Sequence, residues 1–418
     1  MDAPAHSAPA DALHSESSQA PQDASLEAAR RIAADIRMHV LDPLKIDFVG
    51  KDEVVDLLGV CLVAGENLFL LGPPGTAKSA LVKGMATRLE GRYFDYLLTR
   101  FTEPSELFGP FDIRRLRDGE LLTNTEGMLP EGEIIFLDEL LNANSAILNS
   151  LLMALNERVF RRGRETRDLG FVLTVGASNN LPEDEALAAL FDRFLLRVQS
   201  NNVPDEQLGS VLQAGWQLQK QDVQQQPQVR TVSVTDVRQL QRCIPFVDVS
   251  EVRDSYVALI RRLRHAGIEV SDRRAVRLQR LAAASALMCE RSVVHLSDLW
   301  ILKYIWETRE QVEVLNRIVE EAIADDDSEE RSTDASSLRK HPRATSAAAP
   351  DPEQLNRDLN QIQTDLSTTD PQHKSWLSDR LSLLAARIEW VPVDESRQFL
   401  RTRVTELRTQ LANSTPEA

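Results

Sequence analysis

Residues 68–82 read LFLLGPPGTAKSALV. An apolar run enters a Gly-Pro-Pro-Gly turn and leaves through Lys78-Ser79 into a second apolar stretch. That pattern predicts a strand that ends, a backbone that turns so that several N–H groups converge, and a helix that starts behind them. A helix N-terminus and such a nest of N–H groups can hold phosphate oxygens. On this reading Gly72, Pro73, Pro74, Gly75, Thr76 and Ala77 form the cradle. Lys78 reaches the β- and γ-phosphates of a nucleotide, and the Ser79 hydroxyl ligates Mg²⁺. Ala77 stands where the pattern GxxxxGK[ST] has its last glycine. If that position requires positive φ, alanine costs about 1–2 kcal/mol there. If it opens the helix in the α region, alanine is harmless or helpful.

Further motifs follow in order along the chain. EIIFLDEL (133–140) is an apolar strand that ends in Asp138-Glu139. Two carboxylates at the carboxyl end of a buried strand suit a Mg²⁺-nucleotide, with Asp138 on the metal through its water shell and Glu139 as general base for the attacking water. FVLTVGASNN (171–180) is a second such strand. Asn179 can hydrogen-bond the lytic water or the γ-phosphate, and Asn180 is the rival one residue on. In ALAALFDRFLLRV (186–198), Arg193 reads either as an ion-paired arginine beside Asp192 or as an arginine finger reaching a neighbouring subunit's γ-phosphate. In SDRRAVRL, Arg273 lies in the first turn of a helix, where a guanidinium opposes the dipole. Contact with nucleotide phosphates would explain it, and Arg274 is the alternative.

Organisation supports the same class. Strand-like runs (NLFLL, YFDYLL, EIIFLD, FVLTVGAS) alternate with helical stretches over residues 26–204, as in an α/β layer fold with a mainly parallel sheet. The helix SLEAARRIAADIRMHVLDPL opens this domain, capped at Ser25 and stopped at Pro43. Residues 205–325 read as helices throughout, with Ser271 and Ser297 as caps and Gly267 as a stop. Residues 1–25 read as a disordered Ala/Ser/Pro-rich tail and 326–352 as a linker. Residues 353–418 read as a helical hairpin or small bundle.

The 418 residues carry a net charge of −16, with 42% apolar residues. That charge disfavours nonspecific nucleic-acid binding. No apolar run is long enough to span a membrane, and the start of the chain has no signal-peptide pattern. Three distant cysteines (Cys61, Cys243, Cys289) give no disulfide or zinc framework. A cytoplasmic setting is expected.

These motifs in this order resemble the AAA+ ATPases of the MoxR family, and most closely its RavA-type regulatory members. FVGKDEVVDLLGVCLVAGENLFLLGPPGTAKS, YLLTRFTEPSELFGPFDI, TNTEGMLPEGEIIFLDELLNANSAILNSLLMALNERVFRRGRETRDL, VGASNNLPE, LFDRF and VSDRR carry the resemblance, over roughly residues 26–310. It implies a three-layer αβα P-loop NTPase core with an all-α lid and a C-terminal helical segment. It makes Gly72 to Ser79 Walker A, Asp138-Glu139 Walker B, Asn179 sensor 1, Arg193 the arginine finger and Arg273 sensor 2. Val49 and Gly50 fall where the family lines its adenine pocket. RavA-type proteins carry a strand-rich discovery domain after the lid, and none is visible here. Residues 108–130 would be a helix-two insert.

The resemblance also implies a ring, a homohexamer by expectation, that couples Mg-ATP hydrolysis to chaperone-like remodelling of a protein client, with a von Willebrand factor A partner. The arginines at 158, 161, 162, 164 and 167 would line a hairpin near a subunit interface. Two other readings stand beside this one. One is a nucleotide-gated scaffold with little turnover. The other is a nucleic-acid motor like the MCM helicases.

Overall fold

A computed structural model describes residues 16–112, 114, 122–162, 165–182, 185–224, 231–324, 340–344, 352–365, 377, 381, 384–385, 388, 391 and 394–413. The chain enters through α1 (Glu16–Ile36), a π-turn (Arg37–Leu41) and α2 (Asp42–Asp47). This differs from the expected helix at both ends. It begins before Ser25, whose hydroxyl instead lies 3.2 Å from the Cys243 thiol. Pro43 does not stop it, because the ring falls in the first turn of α2, where no N–H is needed. Residues 1–15 lie outside the described residues.

α3 (Asp52–Ala64) is buried on nearly every side and ends at Gly65, in left-handed geometry with φ of 70°. It delivers the chain into β1 (Leu68–Leu71). β2 (Tyr93–Leu97) and β3 (Ile134–Asp138) follow. β4 (Val159–Arg162) and β5 (Glu165–Asp168) form a separate antiparallel hairpin. β6 (Leu173–Ser178) and β7 (Leu196–Gln199) complete a parallel five-stranded sheet in the order β2-β3-β6-β1-β7. β1, β3 and β6 are short apolar runs buried on both faces, the signature of a sheet covered by helices on each side. The fold is the three-layer αβα core that the resemblance implies. Its connecting helices are α4 (Lys78–Arg88), α5 (Pro104–Phe108), α6 (Ser145–Glu157) and α7 (Glu185–Phe191).

A helical lid follows, built from α8 (Leu208–Gln224), α9 (Val234–Cys243), α10 (Arg253–His265), α11 (Asp272–Met288) and α12 (Gln311–Ala324). Ser271 caps α11 through the Arg274 amide, as its sequence position predicts. Within the stretch read as helical throughout, LSDLWILKYIWETREQVEVLNRIVEEA (296–322) reads as one helix but is broken. Leu296–Tyr304 is 3₁₀, and His295, not Ser297, is its capping residue. Arg197 of β7 fastens the lid to the sheet. Fully buried, it donates to the carbonyls of Ile305 (3.0 Å) and Trp306 (2.7 Å) and stacks on Phe191. Burial and the neighbouring Arg274 push its guanidinium down to about 9.

α13 (Pro352–Asp365) and α14 (Asp394–Asn413) share a small core of their own, built around Leu355, Leu359, Leu381, Ile388 and Leu400. A buried ion pair ties this unit to the opening helices, Arg397 to Asp42 at 2.8 Å. Part of the expected linker is packed rather than loose. His341 stacks on Trp300 with centroids 4.3 Å apart, and Arg343 pairs with Asp56 at 3.0 Å. No helix among the described residues is long and apolar enough to cross a membrane.

Candidate nucleotide site

Three adjacent parallel strands, β3, β6 and β1, bring the sequence motifs to one edge. Ligands of open α/β sheets bind outside the carboxyl ends of the strands. β1 ends at Leu71, paired with Ser178 of β6, so the phosphate loop and Asn179 leave the sheet side by side. β3 ends on Asp138, next to Glu139.

Loop geometry explains its residues. Gly72 is required by packing, because a Cβ there would stand 2.2 Å from the Ser200 carbonyl oxygen. Gly75 takes φ of 82° and would meet nothing within 4 Å, so the cradle is open at that point. Ala77 has φ of 62° and ψ of 21°, in the left-handed region at the N-cap of α4. The costly alternative of the two read from the sequence is therefore the one realised. Thr76 is buried and its hydroxyl donates to the Pro73 carbonyl at 3.1 Å. Ser79 is exposed in the first turn of α4.

The charged groups converge. Lys78 Nζ donates to the carbonyls of Gly72 (2.7 Å) and Pro73 (3.0 Å) and lies 3.5 Å from Asn179 Oδ1. Burial lowers its pKa, and Asp138 and Glu139 oppose that shift. Asn179 Nδ2 donates to Glu139 Oε1, so Asn179 links the lysine to the carboxylate. Asn180 makes neither contact, and instead lines an adjoining cavity of about 500 Å³ with Asn142 and Asn144. Glu139 sits in left-handed geometry with φ of 50°, and Asn142 Nδ2 lies 3.4 Å from its second oxygen. Burial, then the Asp138 charge, raises the Glu139 carboxyl above the usual range, while Lys78 pulls it down. A raised carboxyl beside a cation suits a general base.

Sequence reading missed Lys51. It is buried, bonds Ser200 Oγ at 3.3 Å and the Asn201 carbonyl, and is close enough to Lys78 for that charge to depress it further after burial. Its only signal was the Gly50-Lys51 turn. Gly50 has φ of 73°, and a Cβ there would stand 2.7 Å from Val203 and 2.8 Å from Gln207. The Val49-Gly50 turn thus abuts the segment where core passes to lid.

The two arginines lie elsewhere. Arg193 precedes β7, and its carbonyl accepts from Asn67 Nδ2 at 3.0 Å, at the amino end of β1. Arg273 lines a cavity with Gly65, Glu66 and Asn67, at that same end. The phosphate loop leaves the opposite end, a strand length of roughly 13 Å away. Arg274, the alternative to Arg273, has partners within its own chain. Arg274 is buried, bonded to Glu307 at 2.5 Å and to the Ile305 carbonyl at 2.7 Å. Hairpin arginines are also occupied within the chain: Arg158 by two carbonyls, Arg161 by Glu157, Arg162 by Gly109 and the Phe111 ring, Arg167 by Thr125. Arg164 lies outside the described residues.

Comparison with known proteins gives the family. Residues 34–242, half the chain, match the family described as the MoxR domain in MoxR-vWA-beta-propeller ternary systems, and residues 251–319 match an AAA lid domain. An uncharacterised protein of Methanocaldococcus jannaschii is 32% identical over 289 residues, 68% of this chain and 74% of that protein. A Mycobacterium tuberculosis protein named chaperone MoxR1 is 27% identical over 178 residues, 41% of this chain and 46% of that one. A crystal structure of a candidate ATPase from Cytophaga hutchinsonii shares the fold, with a TM-score of 0.55 at 19% identity over 75% of this chain and 98% of its own. The chain belongs to the MoxR family of AAA+ ATPases.

Proposed function

We propose that this protein hydrolyses Mg-ATP at sites shared between subunits of a ring, a homohexamer, and uses the resulting domain motion for chaperone-like remodelling of protein complexes. One observation carries the reading. Lys78, Asp138, Glu139 and Asn179 meet at the carboxyl edge of the sheet, while Arg193 and Arg273 lie at the other end of β1. A single chain cannot bring all six groups to one phosphate, and a second copy placed edge to edge can.

The residues fit the nucleotide. The open cradle at Gly75, the converging loop amides and Lys78 suit a triphosphate. Ser79 and Asp138 would hold Mg²⁺, which neutralises phosphate charge when bound. Val49 and Gly50 would face the base. Glu139 accepts the proton of the attacking water, and Asn179 orients both. Arg193 and Arg273 of the next subunit take up the charge that develops on the transferred phosphoryl group. The lid, fastened through Arg197 and Arg274, turns with the sheet that it grips.

The match to a family described from MoxR-vWA-beta-propeller systems supports a von Willebrand factor A partner. The likeness to RavA-type members is carried by the sequence motifs alone. The pairing of Glu139 with Asn179 beside Lys78 favours an enzyme over a scaffold, and the occupied hairpin arginines argue against a nucleic-acid motor.

Mixing inactive variants tests the reading. Glu139→Gln lacks the base and Arg193→Ala lacks the finger. Equal mixtures should regain ATPase activity through sites that join one Glu139 to one Arg193. If mixed oligomers form without any regained activity, the shared-site reading is wrong.

A further inference from the structure

The cavity that holds Arg273 has a volume of about 310 Å³ and is walled by three other arginines, Arg158, Arg277 and Arg280. Arg273, Arg277 and Arg280 are spaced i, i+4, i+7, and so share one face of α11. Leu278 and Leu281 of the same helix are buried in the core. Four guanidinium groups therefore meet two carboxylates, Glu66 and Glu157, in a chain whose net charge is −16.

The carboxylates are already engaged. Glu157 pairs with Arg161 at 2.9 Å. Glu66, only 5% exposed, takes both ends of Arg277 and lies 3.8 Å from Arg280. Arg280 otherwise holds the Ala64 carbonyl at 3.1 Å, and Arg273 has no hydrogen-bond or ion-pair partner among the described residues. Arg158 spends its charge on the carbonyls of Gly65 and Phe171. Its pKa is lowered by burial first, and the nearby Arg277 and Arg280 lower it further against the pull of Glu66. Crowded like charges in a partly desolvated cavity are costly until an anion enters.

We propose that this cavity is a phosphate-binding site in trans, in which Arg277 and Arg280 join Arg273 on the terminal phosphates of ATP held by the neighbouring copy. The inference rests on the shared-site reading above. Glu66 serves as the resident counter-ion, and an arriving triphosphate shares Arg280 and Arg277 with it. Guanidinium groups suit this ligand because they bind phosphate through paired N–H donors.

Arg280→Ala is the informative variant, because it leaves the buried Glu66 paired with Arg277. Parent mixtures of Glu139→Gln and Arg193→Ala place every working site between an Arg193→Ala chain, which holds the ATP, and a Glu139→Gln chain, which offers the arginines. Arg280→Ala added to the Glu139→Gln chain should lower the regained activity at least tenfold, the scale of one lost charge-assisted hydrogen bond. Added to the Arg193→Ala chain, it removes only a cavity that serves no working site, and the regained activity should stay. That asymmetry separates phosphate contact from damage to the fold. A loss that is equal on either chain, or no loss on either, overturns the proposal and leaves the shared-site reading standing. Silent parent mixtures, with mixed oligomers present, overturn both.

Discussion

Ala77→Gly should make this protein more stable, although it places glycine at the start of a helix. Ala77 is held at φ of 62° and ψ of 21°. A Cβ in that region crowds the following carbonyl and costs about 1–2 kcal/mol. Glycine removes the clash and gives back about 0.5–1 kcal/mol through the larger entropy of its unfolded chain. The net gain is about 0.5–1 kcal/mol, which is on the order of 2 °C or less in Tm for a domain of this size. Urea unfolding of the two proteins side by side reads the difference as a shifted midpoint at unchanged slope. Gly75→Ala supplies the matched control. Its φ is 82° and its new Cβ would touch nothing within 4 Å, so it should lose about as much as Ala77→Gly gains, through backbone strain alone. Gly72→Ala should be far worse, since its Cβ would stand 2.2 Å from a backbone oxygen that no side-chain rotation can move. The sign decides the matter. If residue 77 were helical, glycine would cost up to about 1 kcal/mol. A destabilised Ala77→Gly protein would refute the left-handed loop.

Other perturbations probe the charged groups. Burial and Asp138 raise the Glu139 carboxyl, so the folded state binds its proton more tightly than the unfolded chain does. That contribution is present at low pH and lost as pH rises through the folded value. Glu139→Gln should therefore be the more stable protein at pH 7, with the advantage gone near pH 4, as read from urea midpoints. His341 runs the other way. Burial pushes it down to about 3, so stability present above the ordinary value of 6.5 is lost as pH falls towards 3. His341→Phe, which keeps a ring on Trp300, should flatten that acid limb in the same assay. Arg397→Ala strands the buried Asp42 carboxylate and should cost about 3–5 kcal/mol. Adding Asp42→Asn should recover much of it, and protease sensitivity of residues 394–413 would report the loosened contact.

What could be read from the sequence was what neighbours in sequence determine. β1 is an apolar run that enters a Gly-Pro turn, and β3 and β6 are apolar runs with a polar residue at the carboxyl end, so strand and candidate site are legible together at Asp138, Glu139 and Asn179. β7 was hidden in ALAALFDRFLLRV because Arg197 looks like a surface residue. It is buried only because carbonyls at Ile305 and Trp306, over a hundred positions later, receive it. The same distance problem left Arg274 standing as the alternative to Arg273 in the sequence. Glu307 and Ile305 make Arg274 a brace, and nothing in VSDRR announces them. Pro43 misled for a related reason: proline stops a helix in its interior but is tolerated in a first turn, and only the π-turn before Asp42 makes a new first turn there.

Placement of the groups along β1 has a consequence for how the enzyme responds to dilution. The residues proposed to grip the nucleotide are assembled within one chain by three adjacent strands, so binding should survive when copies are far apart. Arg193 and Arg273 lie a strand length from that edge, and on the shared-site proposal they complete the charge balance of hydrolysis only from a second copy. ATP binding per chain should therefore stay constant as the protein is diluted through the range where sedimentation reports dissociation. Hydrolysis per chain should fall over that range, faster than in proportion to the associated fraction if several interfaces must close at once. An arginine finger is worth about 10³–10⁵ in rate, so the residual activity of separated chains should be near background. Hydrolysis per chain that holds level after sedimentation shows only monomer would mean that one chain suffices. Arg193 and Arg273 would then be structural arginines at the amino edge of the sheet.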